Sequence, residues 1–274
     1  MHTYAYLGPA GTFTEAALKK IAGADDVRNP YINVTAALDA VRAGEADYAL
    51  VPIENSVEGV VARTLDELAT GTPLTIAAEV TLPVTFDLMA KSGTKDISRI
   101  GTHPHAESQC RTYLSTHFPH AEIVPTNSTA AAAELVAQGS LDAAIASSAA
   151  AENFGLEILA SDIGDNQVAV TRFIAVQKPG FIPEATGHDR TSLVVYIDID
   201  HAGALLEILS VFAKYEVNLT FIQSRPTGRE LGHYHFIIDV EGHINDKAVA
   251  ASMDDLREIC DDIRFLGSYP REAR

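Results

Sequence analysis

Apolar and polar positions alternate in a regular order along most of the chain. From Tyr4 to about Val176, short apolar runs that suit buried strands alternate with segments whose apolar residues recur at helical spacing. Strands that alternate with helices in this way favour a mainly parallel sheet covered by helices. The first two thirds of the sequence therefore predict an α/β fold.

The segment from Gln177 to Asp189 interrupts this order with prolines and glycines, as a linker does. Beyond it the pattern runs strand, helix, strand, strand, helix, strand, which is the βαββαβ order of a ferredoxin-like sandwich. We therefore predict a larger domain over residues 1–178 and an α+β domain over residues 190–270.

Two stretches of the larger domain resemble each other. Residues 35–51 and 129–146 each contain a threonine that can cap a helix, an alanine-rich helix, a glycine and a buried strand opened by an aspartate. Two similar α/β units suggest two lobes with a ligand between them. The predicted lobes are residues 1–77 with 163–178, and residues 78–162.

Polar side chains follow both of these strands. The first strand stops at Pro52 and releases Glu54, Asn55 and Ser56, and the second stops at Ser147-Ser148. In open α/β sheets, polar groups just past the carboxyl ends of strands line the crevice where small ligands bind. A solvated loop is the alternative interpretation.

Two more polar segments follow or enter predicted strands. Gly8 to Thr14 opens a helix whose backbone N–H groups can bind an anion, although an ordinary turn capped by Thr14 explains the same residues. Thr171-Arg172 offers a hydroxyl proton beside a planar cation that can hold a carboxylate through two hydrogen bonds.

The segment from Gly101 to Cys110 allows two interpretations. Pro104 suits the first turn of a helix, from which Gln109 can face a crevice together with Thr102. The second interpretation is a zinc site, whose ligands would come from His103, His105, Cys110, His117 and His120. Because their spacing matches no zinc-finger or HExxH pattern, we predict no metal site.

Composition narrows the class of protein. The chain has 274 residues, 47% of them hydrophobic, and a formal charge of −17 that opposes general attraction to nucleic acid or anionic lipid. It shows no apolar run of membrane-spanning length and no secretion signal. Cys110 and Cys260 form no disulfide framework. We expect a cytoplasmic protein that binds neither nucleic acid nor membrane.

Four segments together resemble the signature segments of prephenate dehydratases, in the same order. They are Gly8-Pro9-Ala10-Gly11-Thr12-Phe13-Thr14, Pro52-Ile53-Glu54-Asn55-Ser56, His103-Pro104 with Gln109-Cys110, and Thr171-Arg172-Phe173. The C-terminal domain resembles the ACT regulatory domain fused to those enzymes, and the helical chorismate mutase domain of bifunctional relatives is not expected. The resemblance implies a two-lobed catalytic domain like the type 2 periplasmic binding proteins.

The resemblance also implies a reaction, the conversion of prephenate to phenylpyruvate with loss of carbon dioxide and water, and no cofactor. It implies that Thr171 donates a hydrogen bond or proton to the leaving hydroxyl and that Arg172 binds a substrate carboxylate. Glu54 is expected in the catalytic set, either at the substrate or orienting Arg172. The other expected substrate contacts are Thr12, Asn55, Ser56, Thr102, Gln109, Ser147 and Phe173.

For the ACT domain, the resemblance implies feedback control by phenylalanine in a homodimer or homotetramer. The expected effector residues are Gly203, Ala204, Leu205, Gln223, Ser224, Arg225 and Pro226. Gln223 stands where the family usually has glutamate, which leaves the effector's identity and sign open. An arogenate dehydratase and a non-catalytic amino-acid sensor are the alternative functions.

Overall fold

The computed structural model describes residues 1–166, 168–197, 201–227 and 234–272. Strands and helices alternate through the predicted larger domain. They are β1 (Thr3–Leu7), α1 (Phe13–Ile21), β2 (Val27–Tyr31), α2 (Val34–Ala43), β3 (Tyr48–Asn55), β4 (Gly59–Val60), α3 (Ala62–Thr70), β5 (Thr75–Pro83), β6 (Asp87–Ala90), β7 (Arg99–Thr102), α4 (Pro104–Gln109), α5 (Arg111–His117), β8 (Glu122–Pro125), α6 (Thr129–Ala137), β9 (Ala143–Ala146), α7 (Ser148–Phe154), β10 (Glu157–Ala160) and β11 (Val170–Gln177).

These strands form two sheets, which confirms the α/β prediction. The first has the order β2-β1-β3-β11-β5 with β4 paired to β3, and the second has the order β10-β6-β9-β7-β8. The second sheet is less parallel than predicted, because β6 is antiparallel to both β9 and β10. Strand β6 therefore runs against its neighbours, whereas β9 and β10 run in the same direction and are joined by the helix α7.

The C-terminal elements follow the predicted βαββαβ order. They are β12 (Asp189–Tyr196), α8 (Ala204–Lys214), β13 (Leu219–Pro226), β14 (Tyr234–Glu241), α9 (Lys247–Ile259) and β15 (Asp262–Pro270). The sheet order is β13-β14-β12-β15, and every pair is antiparallel. Phe212 of α8 and Leu256 of α9 pack onto Leu193 and Ile238 of the sheet, and each such buried side chain stabilises the fold by about 1.5–3 kcal/mol. None of the helices in the described ranges has the length and apolarity to cross a bilayer.

The helices begin earlier than the proposed capping threonines. Ser128 accepts a hydrogen bond from the backbone N–H of Ala131 and caps α6, and Asn33 does the same for Ala36 in α2. Thr129 and the corresponding threonine of α2 therefore lie in the first turn instead of at the cap. Both serine and asparagine are preferred over threonine at this position, which accounts for the shift.

The chain packs as two compact units. The first consists of Met1–Ala37, Leu50–Val61 and Val80–Phe173, and the second of Leu38–Ala49, Ala62–Glu79 and Ile174–Arg274. The predicted domain division between residues 178 and 190 differs from this packing. The reason is that the C-terminal sheet packs onto α3 and β5 within the second unit.

Strand β15 approaches β5 closely within that unit. Gly267 has a φ of +137°, and a Cβ there would overlap with the backbone carbonyl of Ile76, so only glycine permits this contact. Beside it, Arg264 donates to the backbone carbonyls of Leu68 (2.9 Å) and Gly71 (2.8 Å). These contacts satisfy two carbonyls at the end of α3, where a helix leaves such groups without internal partners.

Candidate active site

A cavity of about 840 Å³ lies within the first compact unit. This volume suits a small organic ligand. The wall is formed by the starts of α1, α4 and α6, the turn after β3, and β11. It includes Thr12, Phe13, Pro30, Tyr31, Asn55, Glu58, Val60, Phe86, His103, His105, Gln109, Asn127, Ser128, Thr129, Thr171 and Phe173. Of the sequence-predicted residues, Thr12, Asn55, Gln109, Thr171 and Phe173 therefore meet in one cavity.

Thr171 is held by Asn55 in an orientation that leaves its proton available. The Asn55 Oδ1 accepts the backbone N–H groups of Val57 (2.8 Å) and Glu58 (2.9 Å), so its Nδ2 must face the other way. Nδ2 donates to Thr171 Oγ1 at 2.8 Å. Because Thr171 accepts this bond, its own hydroxyl proton is left for another acceptor.

The alternation of side chains along two strands separates Arg172 and Glu54 from this cavity. Thr171 and Phe173 face the cavity, and Arg172 between them points to the opposite face, where its Nε lies 3.5 Å from Glu54 Oε2. Glu54 likewise precedes the cavity-lining Asn55 on β3. Neither is among the described residues that line the cavity, so the expected direct contact of Arg172 with substrate does not fit this geometry.

Three predicted substrate contacts use their hydroxyl groups on the backbone instead. Thr102 donates to the carbonyl of Ile145 (2.9 Å) and Ser147 to the carbonyl of Gly11 (3.1 Å). The Ser56 hydroxyl accepts the N–H of Val170 at 3.0 Å. All three lie beside the cavity without lining it, and each fixes a loop or strand end that carries a lining residue.

The loop before α1 is packed against α7. Gly11 has a φ of +84°, and a Cβ there would lie 3.2 Å from the Cα of Ala150. Glu15 fastens the loop, because its Oε2 accepts from Gly11 N (2.6 Å) and from Asn153 Nδ2 (3.0 Å). Thr12, rather than the expected Thr14, caps α1 by accepting the N–H of Glu15.

Gln109 contacts Glu58, a residue outside the set predicted from the sequence. Its Nε2 donates to Glu58 Oε1 at 3.0 Å, and the other Glu58 oxygen lies 3.6 Å from Nδ1 of His105. Glu58 stands three residues after Asn55 in the turn beyond β3, and this closeness to Asn55 was the available signal. The sequence offers His105 only as a zinc ligand, and His103 as a zinc ligand or as part of a signature segment.

Burial sets the pKa values of two ionisable groups in and beside the segment from Gly101 to Cys110. Burial, followed by the charge of His105, lowers the pKa of His103, which Glu58 partly opposes. Burial raises the pKa of the Cys110 thiol to about 12, so the thiol is neutral and unreactive at neutral pH. Among the described residues no three His, Cys, Asp or Glu side chains are grouped closely enough to hold a metal ion.

Two models of known protein families match this chain. The family model "Prephenate dehydratase" matches residues 4–180, and the model "ACT domain" matches residues 191–258. The chain belongs to the prephenate dehydratase family. It is therefore an α/β enzyme of that family with a C-terminal ACT domain.

Individual relatives cover nearly the whole chain. A prephenate dehydratase of Mycolicibacterium vanbaalenii is 46% identical over 282 residues, which is 97% of this chain and 90% of that protein. The crystal structure of the Arthrobacter aurescens prephenate dehydratase in complex with L-Phe is 53% identical with a TM-score of 0.93, and covers 98% of this chain and 90% of that one. GqqA, described as a novel type of quorum quenching acylase, is 29% identical with a TM-score of 0.88, over 98% of both chains.

In the ACT domain, the expected effector residues fall into two places. Gly203, Ala204 and Leu205 line a cavity of about 180 Å³ together with Ile197, His201, Leu206, Tyr234 and Phe236. Gln223 to Pro226 do not line it in the described part of the chain. Arg225 instead forms two hydrogen bonds of 2.8 Å with the carboxylate of Asp66 on α3, within the second compact unit.

Proposed function

We propose that this protein catalyses the decarboxylating dehydration of prephenate to phenylpyruvate, and that phenylalanine controls it through the ACT domain. The observation that carries the proposal is the hydrogen bond from Asn55 to Thr171, which turns the threonine hydroxyl into a donor at the cavity wall. This reaction needs such a donor, because a ring hydroxyl must leave.

The reaction requires little further assistance from the protein. Loss of carbon dioxide and hydroxide makes the ring aromatic, so the reaction is strongly downhill and needs no electron sink. Threonine is a weak acid, and its help depends on a donor position fixed before the substrate arrives. Transfer of a proton by a positioned side chain contributes about 10²–10⁴ in rate.

The two carboxylates of prephenate require positive groups from a chain whose formal charge is −17. The starts of α1 and α6 both border the cavity, and helix N-termini attract anions through their N–H groups and dipoles. His103 and His105 add imidazole donors at the same wall. Arg172 is proposed to act behind the wall, where it pairs with Glu54 and holds β11 beside β3.

The test is turnover of purified protein with prephenate, with phenylpyruvate and carbon dioxide measured together. Equimolar formation of both products is expected, and absence of turnover would remove the proposal in favour of a non-catalytic sensor. Arogenate, which carries an amino group in place of the keto group, is assayed in parallel. A higher kcat/KM on arogenate would make the protein an arogenate dehydratase.

Phenylalanine is proposed as the effector because the Arthrobacter relative was crystallised with L-Phe. The ACT domain here has Gln223 instead of the family's usual glutamate, so affinity is expected to be altered. Calorimetry with phenylalanine, tyrosine and tryptophan tests which amino acid binds. Sedimentation with and without the bound amino acid tests the proposed homodimer or homotetramer.

A further inference from the structure

Glu58 is a further polar residue of the cavity wall, and its contacts with Gln109 and His105 lie in the first compact unit. It lies in the turn after β3, and its carboxylate reaches Gln109 on α4, where Oε1 accepts from Gln109 Nε2 at 3.0 Å. Gln109 is buried and lines the cavity, whereas the Glu58 side chain is 34% exposed. The turn after β3 therefore contacts α4 through Gln109, and its Asn55 contacts β11 through Thr171.

The chemistry of this contact determines how the amide is oriented. A carboxylate only accepts hydrogen bonds, so it must face the NH₂ group of Gln109 and not its oxygen. The Gln109 Oε1 is then directed away from Glu58. In this orientation the amide presents an acceptor, and an acceptor suits a substrate hydroxyl better than a substrate carboxylate.

The turn from Asn55 to Glu58 orients a second group as well. Asn55 accepts the backbone N–H of Glu58 at 2.9 Å and donates through Nδ2 to Thr171 at 2.8 Å. One short turn thus holds Thr171 as a donor through Asn55 and holds Gln109 as an acceptor through Glu58. Both suit a hydroxyl that leaves as water, since it accepts a proton from the donor and keeps its own hydrogen, which donates a hydrogen bond to the acceptor.

We infer that Glu58 is a positioning residue for the proposed reaction, which acts by fixing the amide of Gln109 so that its oxygen accepts from the leaving hydroxyl. The inference rests on the proposed function. Glu58 itself is not expected to touch the reacting atoms. Its negative charge, taken alone, would repel a dianionic substrate, so its contribution must come from orientation.

The experiment is a double-mutant cycle of Glu58→Gln and Gln109→Ala, with kcat and KM measured on prephenate. Glu58→Gln permits both amide orientations, so we expect kcat/KM to fall about 10- to 100-fold, as for loss of a hydrogen bond to a charged group, mainly through kcat. In the Gln109→Ala background the same change should alter kcat/KM less than about twofold. Equal losses in both backgrounds would overturn the inference.

Two further variants distinguish the effect of the Glu58 charge from the effect of its side-chain length. Glu58→Asp keeps the charge but shortens the side chain, and we expect it to lose activity like Glu58→Gln; full activity would overturn the inference. Glu107→Gln is the matched control, because it removes one carboxylate from the same helix as Gln109 without touching the cavity wall, and it should behave as the parent. A rise in kcat/KM of Glu58→Gln would show that Glu58 acts only by repulsion and would also overturn the inference.

Thermal unfolding of each variant verifies that the fold is retained. The Glu58 side chain is partly exposed, so folded variants are expected. If the parent protein fails to convert prephenate, the proposed function fails before the cycle begins. If the parent converts prephenate and the cycle shows no coupling, only the inference on Glu58 fails.

Discussion

The dehydratase cavity and the effector segments of the ACT domain differ in how their predicted residues are used. Around the cavity, residues far apart in sequence, such as Thr12, Asn55, Gln109 and Thr171, meet at one wall. In the ACT domain, Gly203 to Leu205 border a small cavity while Arg225 is bound to Asp66. The proposed elimination therefore rests on side chains that meet in one chain, whereas the proposed effector response is tested by binding measurements.

The largest expected effect tests the cavity side of this comparison. Replacing Thr171 with Ala removes the hydroxyl that Asn55 orients, and we expect kcat on prephenate to fall about 10²- to 10⁴-fold. A stopped assay of phenylpyruvate measures it. Thr171→Ser keeps a hydroxyl and should retain most of the activity. An alanine variant within a few fold of the parent would remove Thr171 from the mechanism.

A smaller effect tests the proposal that Arg172 lies behind the cavity wall. In Arg172→Met the buried guanidinium loses its pair with Glu54, whose side chain is 42% exposed, so we expect a cost of about 1–2 kcal/mol and a Tm lower by roughly 2–8 °C. The KM for prephenate should change less than about threefold. Calorimetric melting and steady-state kinetics measure the two quantities.

Arg99→Met is the control for that variant. Arg99 also pairs with a carboxylate, that of Glu122 at 3.3 Å, but both side chains are exposed. Its loss should change neither Tm nor KM measurably. If Arg172→Met raised KM tenfold or more with an unchanged Tm, the original assignment of Arg172 to a substrate carboxylate would stand.

The effector side of the comparison is tested at Asp66. The ion pair with Asp66 raises the pKa of Arg225, and its two parallel hydrogen bonds hold the end of β13 on α3. We expect Asp66→Asn to weaken phenylalanine binding by about three- to tenfold, the size of one charge-assisted bond at a partly exposed site. Calorimetry measures the affinity.

Asp254→Asn is the matched control for Asp66→Asn. Asp254 pairs with Arg257 at 2.7 Å on the exposed face of α9 in the same domain. Its affinity for phenylalanine should equal that of the parent. An unchanged affinity in Asp66→Asn as well would mean that the pair with Arg225 has no part in the effector response.

The smallest effect concerns pH and the buried His235 of β14. Burial is the main cause that lowers the pKa of its imidazole. The unfolded chain therefore binds a proton below about pH 6.5 that the folded chain resists. The contribution of neutral His235 to the free energy of unfolding is therefore complete above that pH. It is lost as the pH falls from about 6.5 towards the lowered pKa of the folded state.

We expect His235→Leu to reduce the drop in Tm between pH 7.5 and pH 5.5. Part of the drop should remain, because the pKa of His103 is also lowered by burial. Melting curves of both proteins at the two pH values measure the difference. Identical drops in the two proteins would contradict a buried, neutral His235 in the fold.

Patterns along the sequence predicted the element order well, because burial of strands and helices follows local periodicity. The βαββαβ order and the helix start at Pro104 are confirmed. The caps were placed wrongly by local reasoning, because the choice between neighbouring polar residues such as Ser128 and Thr129 depends on backbone geometry. The compact units were not foreseen, since packing of β15 on β5 is invisible in either segment alone.

The predicted segments meet around one cavity, whereas their individual side chains are used in different ways. Asn55, Gln109 and Thr171 line the cavity, but Thr102 and Ser147 bind backbone carbonyls instead. A hydroxyl group at the end of a strand can face a ligand or donate to a backbone carbonyl. The position of the facing strand determines which of the two occurs. Strand alternation did offer a signal for Arg172, because it makes Thr171 and its neighbour point to opposite faces.

The close approach of β15 to β5 has a consequence for engineering. Residues 62–79 pack with the ACT domain in one unit, and Gly267 leaves no space between the two strands. Truncating the chain after the linker would uncover that face to water and invite aggregation. Removal of the proposed effector control is therefore better sought by point substitutions in the ACT domain than by its deletion.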